Sequence, residues 1–523
     1  MSSPDIFRPG AAGRLPWLIA AVAGILQAAS LAWPWGGQPL WWLQLVSLAA
    51  LAGVVLKAAT ARRAGLLAWL FSTSWLCGTF WWLFISMHTY GGLAAPLAAA
   101  AVLALAAFLG SYYAFAIWFF RKRQPANRWM AAALFATLWM LAELARGQWW
   151  TGFPWGAAGY AHVRGPLSVL ARTVGVYGMC FAAAFIACAA AFFSKRDLRN
   201  RSWWLGCLAV LIVWGALGYQ RQLALQRIDA QKEHPPVRLA LLQGQIPQDE
   251  KFQAGSGIPM ALEWYAGRLR DATATLVVAP ETAIPLLPKQ LPSGYLDMVT
   301  ERYVRPGGDQ ALLVGIPLGD FTNGYTNSVL GFAPGQQPYE YDKHHLVPFG
   351  EFIPPFFRWF TELMSIPLGD FNRGPVGQPS FLFQDQRIAP NICYEDLFGE
   401  ELGARFVDPA AAPTLMVNLS NIGWFGDSLA IDQHLAISRL RALEFERPMV
   451  RATNTGATAV IDHRGQVTHS LARDRRGVLL AEVQGNFGAV TPYAWWVGRF
   501  GLWPLWAVGL LAALVAWRCC KRV

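Results

Sequence analysis

The sequence predicts a membrane-embedded α-helical bundle of eight spans joined to one α/β domain, and three observations predict it. Of the 523 residues, 54% are hydrophobic and 14% aromatic, with a mean hydropathy of +0.30, well above a soluble average. Eight runs of about 20 apolar residues, each long enough to cross a roughly 30 Å hydrocarbon layer, lie toward the two ends of the chain. Between the seventh and the eighth, the pattern changes to short β-rich runs separated by helical stretches.

The first apolar run, Leu15 to Trp35, lacks a small-residue cleavage site and reads as an uncleaved span. Further runs follow at 40–58, 64–87, 92–120, 129–146, 168–193 and 203–220, and the last is Phe500 to Trp517. Basic clusters occur in alternate connections: Arg8 and Arg14; Lys57, Arg62 and Arg63; Arg121, Lys122, Arg123 and Arg128; Lys195, Arg196, Arg199 and Arg201; and the tail with Arg518, Lys521 and Arg522. If every span crosses once, all these clusters share one side, which the positive-inside rule makes cytoplasmic. Both termini are then cytoplasmic, and the long segment after span seven faces the opposite side, the periplasm in a bacterium. The domains expected are 1–220, 221–491 and 492–523.

A formal charge of +11 would suit nucleic acid in a soluble protein, but the basic residues of the apolar half act as topology signals, which excludes nucleic acid as the partner. The seven cysteines show no paired CxxC motifs and no histidine at metal-ligand spacing, so neither a disulfide framework nor a zinc site is expected. Trp149, Trp150, Trp155, Trp495 and Trp496 read as an interfacial belt, and Glu143 with Arg146 as a helix-end pair at the interface.

From Arg221 to about Thr491 the β-rich runs are 237–244, 274–281, 311–317, 328–332, 387–395, 413–421, 457–465 and 477–485. Most are near-continuous Val, Leu, Ile and Ala, as strands covered on both faces require. Helices are expected over Met260 to Ala272 and Ser428 to Glu446.

Three stretches at strand ends carry residues suited to acyl transfer. VVAPET places Glu281 just past a buried strand, where desolvation would raise its pKa toward that of a general base. YDKHHLVPFGE supplies Lys343, a fixed cation for an oxyanion. RIAPNICYED supplies Cys393, the one cysteine outside the apolar spans and the basic tail. Singly, each has a structural alternative: a helix N-cap acid, a loop charge, a small buried hydrophobe. Strand ends of an open α/β sheet converge, so together they can form one pocket.

In that order, Glu281, Lys343 and Cys393 resemble the carbon–nitrogen hydrolase (nitrilase) superfamily, whose αββα sandwich uses a Glu–Lys–Cys triad. The seven leading spans and one trailing span, with LLQGQIPQ (241–248), NLSNIGWFGDS (418–428) and HLAISRLRALEFERPMVRATNTG (434–456), resemble the apolipoprotein N-acyltransferase family. The resemblance implies a multi-pass bacterial inner-membrane enzyme, active as a monomer and needing no cofactor or metal. Its donor would be the sn-1 acyl chain of a membrane phospholipid such as phosphatidylethanolamine. Its acceptor would be the amino terminus of the S-diacylglyceryl cysteine of an apolipoprotein. The triad alone leaves open a membrane-anchored amidase or lipid hydrolase. A receptor or transporter with an inactive domain is disfavoured by the intact triad and by the few ionisable residues in the spans.

The resemblance also implies supporting roles for Glu351, which would orient the lysine or the acyl carbonyl, for Tyr394 and Glu395 beside the nucleophile, and for Trp424. Phe252 stands where the family pattern leads one to expect tryptophan, which keeps an aromatic wall but removes an indole N–H. In residues 351–366, Phe352, Phe356, Trp359 or Phe360, and Leu363 form an aromatic stripe. It reads as an arm that dips into the outer leaflet and gates lipid access to Cys393.

Overall fold

The computed structural model of the chain describes residues 13–195, 197–230, 234–355, 357 and 370–519. Phe356, Trp359, Phe360 and Leu363 of the expected arm lie outside the described residues. The chain divides into two compact units, one of Met1–Trp81, Pro96–Ala224 and Leu502–Val523, the other of Trp82–Ala95 and Leu225–Gly501.

The first unit is helical. Among the described residues, four segments are long and apolar enough to cross a membrane: Ala95–Lys122, Arg128–Thr151, Pro166–Ala191 and Trp204–Asp229. Ala61–Phe80 with Leu83–Tyr90, and Pro492–Phe500 with Trp503–Cys519, qualify only if each broken pair is taken together, and Leu15–Leu31 and Trp41–Leu56 are shorter. Thr60 and Asn127 cap their helices by accepting from the first-turn amides of Arg63, and of Trp129 and Met130. Gly24 lets two helices touch, since a Cβ there would lie 2.3 Å from the Phe71 carbonyl oxygen.

Two interfacial expectations are corrected in this unit. Glu143 and Arg146 are fully buried rather than exposed at a helix end. The Arg146 guanidinium donates to Glu143 Oε2 at 2.7 Å, to the Tyr113 hydroxyl at 3.0 Å, and to the carbonyls of Phe153 and Trp155 at 2.6 Å each. Glu143 Oε1 accepts from the Ala158 amide at 3.2 Å, so the pair ties the chain returning after Gln148 onto its own helix. Trp155 is drawn inside with it and is only 3% exposed, whereas Trp149 and Trp150 remain open, as does Trp495 of the second unit.

The second unit holds two six-stranded sheets. The strands are β1 (Val237–Gln243), β2 (Leu276–Ala279), β3 (Ala311–Asp320), β4 (Gly324–Phe332), β5 (Tyr339–Asp342), β6 (Phe381–Phe383), β7 (Gln386–Ile392), β8 (Leu415–Ser420), β9 (Met449–Thr453), β10 (Ala459–Ile461), β11 (Val467–Ser470) and β12 (Gly477–Val483). One sheet has the order β12-β1-β2-β3-β4-β5 and the other β11-β10-β9-β8-β7-β6. The strands β1, β2 and β3 run parallel, as do β7, β8 and β9.

Strand alternation builds the layers. Leu239, Leu241, Leu276, Val278 and Leu313 meet Ile388, Ile392, Val417, Leu419 and Val450 between the sheets. Ala240, Leu242, Val277, Leu312 and Val314 point the other way, against Tyr265 and Leu269 of helix Gly257–Asp271 and Val299 and Tyr303 of helix Tyr295–Val304. Both faces of these strands are therefore apolar, which explains why their sequence runs do not alternate. Two sheets packed face to face, with helices over the outer face of the first, accord with the expected αββα sandwich.

Residues 82–95, read from sequence as the end of one span, a short loop and the start of the next span, belong to this unit. The Trp82 indole donates to Gln433 Oε1 at 3.1 Å and its ring lies 4.3 Å from Phe425, while Tyr90 meets Trp424 edge-on at 5.8 Å.

Candidate active site

Glu281 stands two residues beyond β2 on a tight corner. Thr282 has a φ of +46°, and Gly315 of the adjoining β3 leaves room for the bend: a Cβ at Gly315 would lie 2.3 Å from the Pro280 oxygen and 2.7 Å from Glu281 Cα. Lys343 follows β5 directly, with its amide donating to the Asn327 carbonyl on β4 at 2.8 Å. Cys393 follows β7 and begins a 3-10 turn at a φ of +51°, a left-handed conformation that a non-glycine residue adopts only under constraint.

The acidic and basic groups converge. The Lys343 ammonium lies 2.9 Å from Glu351 Oε1 and 3.3 Å from Glu281 Oε1. Asn327 Nδ2 donates to the same two oxygens, at 2.8 Å to Glu281 and 2.7 Å to Glu351. The second Glu281 oxygen accepts from the Asn421 amide at 2.9 Å, just beyond β8, and the second Glu351 oxygen accepts from the Val347 amide at 2.8 Å. Glu351 is therefore a buried partner of the lysine.

The electrostatics correct one expectation. Burial does push the Glu281 carboxyl up, but the charges of Lys343 and Lys251 and the Asn327 hydrogen bond outweigh it, so its pKa falls below the ordinary value. Burial would also discharge Lys343, yet Glu281 and Glu351 hold its ammonium well above the usual lysine range. The Cys393 thiol is pushed up to about 12 by burial and the Glu281 charge, against the opposing pull of Lys343, Ser420 and the Asn421 amide. At neutral pH the site thus rests as a carboxylate, an ammonium and a protonated thiol.

Glu395 joins the lysine loop to the Cys393 turn. One oxygen accepts from the His344 and His345 amides at 2.7 and 3.3 Å, the other from the Ile392 amide at 2.7 Å and the Tyr341 hydroxyl at 2.8 Å. Tyr394 is buried among Phe398 and His345 rings and shapes the turn from behind. Trp424 is half-buried against Tyr90, and Phe252 is largely exposed, its ring centroid 5.7 Å from the Lys251 ammonium.

Four participants were not singled out in the sequence. Asn327 sits at the polar edge of an apolar strand run, with no local mark of its role. Asn418, Asn421 and His434 lay inside stretches noted for their family likeness but carried no charge pattern of their own. The Cys393 carbonyl accepts from Asn418 Nδ2 at 3.1 Å and from His434 Nε2 at 3.2 Å. His434 in turn touches Asp396 at 2.9 Å and Arg451 at 3.0 Å.

Two family models match the chain. Residues 23–189 match the apolipoprotein N-acyltransferase N-terminal domain, and residues 238–492 match carbon-nitrogen hydrolase. An apolipoprotein N-acyltransferase of Verminephrobacter eiseniae is 61% identical over 94% of this chain and 94% of its own length. One from Ralstonia nicotianae is 42% identical over 95% of this chain and 92% of its own. A solved carbon-nitrogen hydrolase superfamily structure, from Xanthomonas campestris, is 19% identical, with a TM-score of 0.34 over 51% of this chain and 96% of that one.

Proposed function

The chain belongs to the apolipoprotein N-acyltransferase family, and we propose that it acylates apolipoproteins through a thioester on Cys393, with Glu281 as general base and Lys343 at the oxyanion. The observation that carries this assignment is the convergence of a fixed carboxylate, a fixed ammonium and a constrained thiol at strand ends of one domain.

Glu281 takes the Cys393 proton as sulfur attacks the sn-1 ester carbonyl of a phospholipid such as phosphatidylethanolamine. A thiol this weakly acidic needs the proton to leave as the C–S bond forms. Lys343 faces the developing oxyanion. On collapse, the lysophospholipid oxygen leaves with the proton from Glu281. In the second half, the free α-amine of the S-diacylglyceryl cysteine attacks the thioester and gives a proton to Glu281. The amide forms, and the departing thiolate recovers that proton. Glu351 and Asn327 keep Lys343 and Glu281 in register throughout. Tyr394, Glu395, Phe252 and Trp424 shape the surrounding walls.

The cellular arrangement is part of the same proposal: an inner-membrane protein of eight spans, with both termini cytoplasmic and the catalytic domain periplasmic, acting as a monomer. The alternating basic loops support the orientation. Domain limits of 1–220, 221–491 and 492–523 follow from that topology.

Incubation of purified protein with labelled phospholipid should leave a hydroxylamine-sensitive label on Cys393 that a diacylated lipopeptide then removes. Cys393→Ala should take no label, and Cys393→Ser tests a weaker nucleophile. A label that never forms, or that passes only to water, refutes the transferase assignment and favours the hydrolase.

A further inference from the structure

Lys251 is a deeply buried charge beside the triad that the mechanism above leaves idle. It is 1% exposed, yet among the described residues its ammonium makes no direct ion pair; it donates to the Glu281 carbonyl oxygen at 3.2 Å and to Thr282 Oγ1 at 2.5 Å. These are the two residues of the strained corner that presents the general base. The lysine reaches them from a turn closed by its own amide on the Pro247 carbonyl at 2.9 Å, and the Phe252 ring lies over its outer side. A buried ammonium without a carboxylate partner is unfavourable for folding, so its retention needs a reason in the site.

We propose that Lys251 is a positioning residue for acyl transfer, a second buried cation that fixes the Glu281–Thr282 corner and balances the charge of the thiolate-forming site. The inference rests on reading Cys393 as the nucleophile. Counting formal charges, Glu281 and Glu351 are offset by Lys343 and Lys251. Moving the thiol proton to Glu281 leaves that balance at zero. With Lys251 neutral the site carries one net negative charge both before and after the transfer, the thiolate loses an attracting cation, and the corner loses an ammonium donor.

The groups whose fields reach Lys251 are Glu281, from the end of β2, and Cys393, from the end of β7. Lys343 lies beyond Glu281, and the turn itself adds Asp249, which is exposed, and Glu250, which is half-buried. Burial lowers the Lys251 pKa to about 8, against the opposing pull of Glu281 and Cys393. Its charge is therefore present below about pH 8 and lost as pH rises through it. Acylation should fall along that limb. The stability sign is opposite: a lysine whose folded pKa is depressed opposes folding while it is charged, so an apolar replacement should not lower Tm.

The test uses full-length protein and a labelled phospholipid, following single-turnover acylation of Cys393 from about pH 6 to about pH 10. Removing an adjacent opposite charge shifts a pKa by about 1 to 3 units, so Lys251→Met should acylate at least ~10-fold more slowly below pH 8, without the alkaline limb and without a lower Tm. Lys251→Arg should restore rate and move the limb upward. Thr282→Val, which removes the hydroxyl and keeps the cation, should retain the limb. A Lys251→Met protein with the wild-type rate and profile overturns the proposal, as does a rate loss that only tracks a loss of Tm. Failure of wild-type Cys393 to acylate would instead refute the function assigned above.

Discussion

Replacing Asn327 by leucine keeps a branched side chain of similar shape and removes a donor that two carboxylates share. Its Nδ2 lies 2.8 Å from Glu281 and 2.7 Å from Glu351, on a side chain buried between them. A hydrogen bond to a charged group contributes about 1.5–3 kcal/mol, so the bond to Glu281 corresponds to roughly a 10- to 150-fold change in rate if it is needed in the transition state. Glu281 keeps the Asn421 amide at 2.9 Å and Lys343 at 3.3 Å, which places the expected loss toward the lower part of that range.

The pH dependence has a definite sign. The Glu281 pKa is depressed in the folded protein, so the carboxylate base is present above it and is lost as pH falls through it. Without Asn327 that pKa rises, and the acid limb of acylation moves to higher pH. Asn327→Asp should be slower still, because it sets a third carboxylate between two others. The assay is single-turnover labelling of Cys393 with a fluorescent phospholipid, read beside Tm in the same detergent. An Asn327→Leu protein within about threefold of wild type, with an unmoved acid limb and an unchanged Tm, would refute the view that Asn327 holds the base.

Two further substitutions probe the frame. Glu395→Gln leaves one acceptor oxygen where two now serve four donors, and turns an NH2 group against two of them. It should lower stability by about 2–6 kcal/mol, measured by thermal melting, and reduce Cys393 acylation in the folded fraction. Gly315→Ala places a Cβ 2.3 Å from the Pro280 oxygen and must displace the corner that carries Glu281. Acylation should fall at least ~100-fold, and a wild-type labelling rate would show that the corner is not fixed from β3.

Much of this was legible because local patterns and burial agree. The eight β-rich runs became β1, β2, β3, β4, β7, β8, β10 and β12; most are covered on both faces and so announce themselves as apolar runs, whereas β12 is apolar in sequence but partly exposed. The strands β5, β6, β9 and β11 did not announce themselves. β5 reads YEYD, β6 has three residues, β11 is largely exposed, and β9 carries Arg451 in its middle. Glu281, Lys343 and Cys393, the residues proposed to act together, stood out because each sits at a strand end with a distinctive neighbourhood. The Glu281 pKa was not legible, because desolvation can be inferred from a buried strand, whereas Lys251 and Asn327 come from other parts of the chain. The Trp82 to Ala95 segment was hidden for a similar reason: its apolar composition suits a span, and its partners Phe425, Gln433 and Trp424 lie more than three hundred residues away.

Arg451 also shows why this domain tolerates buried charge on a strand. The left-handed Cys393 conformation is unfavourable by about 1–3 kcal/mol and persists only where surrounding structure over-determines it. Asn418 and His434 hold its carbonyl. His434 can donate from Nε2 only if its tautomer is fixed, and Arg451 Nη2 donates to Nδ1, which leaves the proton of a neutral imidazole on Nε2. Burial, with Arg451 close by, lowers the His434 pKa despite the pull of Asp396, in keeping with that neutral form. Asp396 completes the group by accepting from Arg451 at 3.1 Å and from Ser438. A buried ion pair of this kind adds little net stability compared with an apolar core. Its contribution is geometric: it locks a histidine that helps to hold the Cys393 carbonyl, and so fixes the backbone from which the thiol leaves the strand.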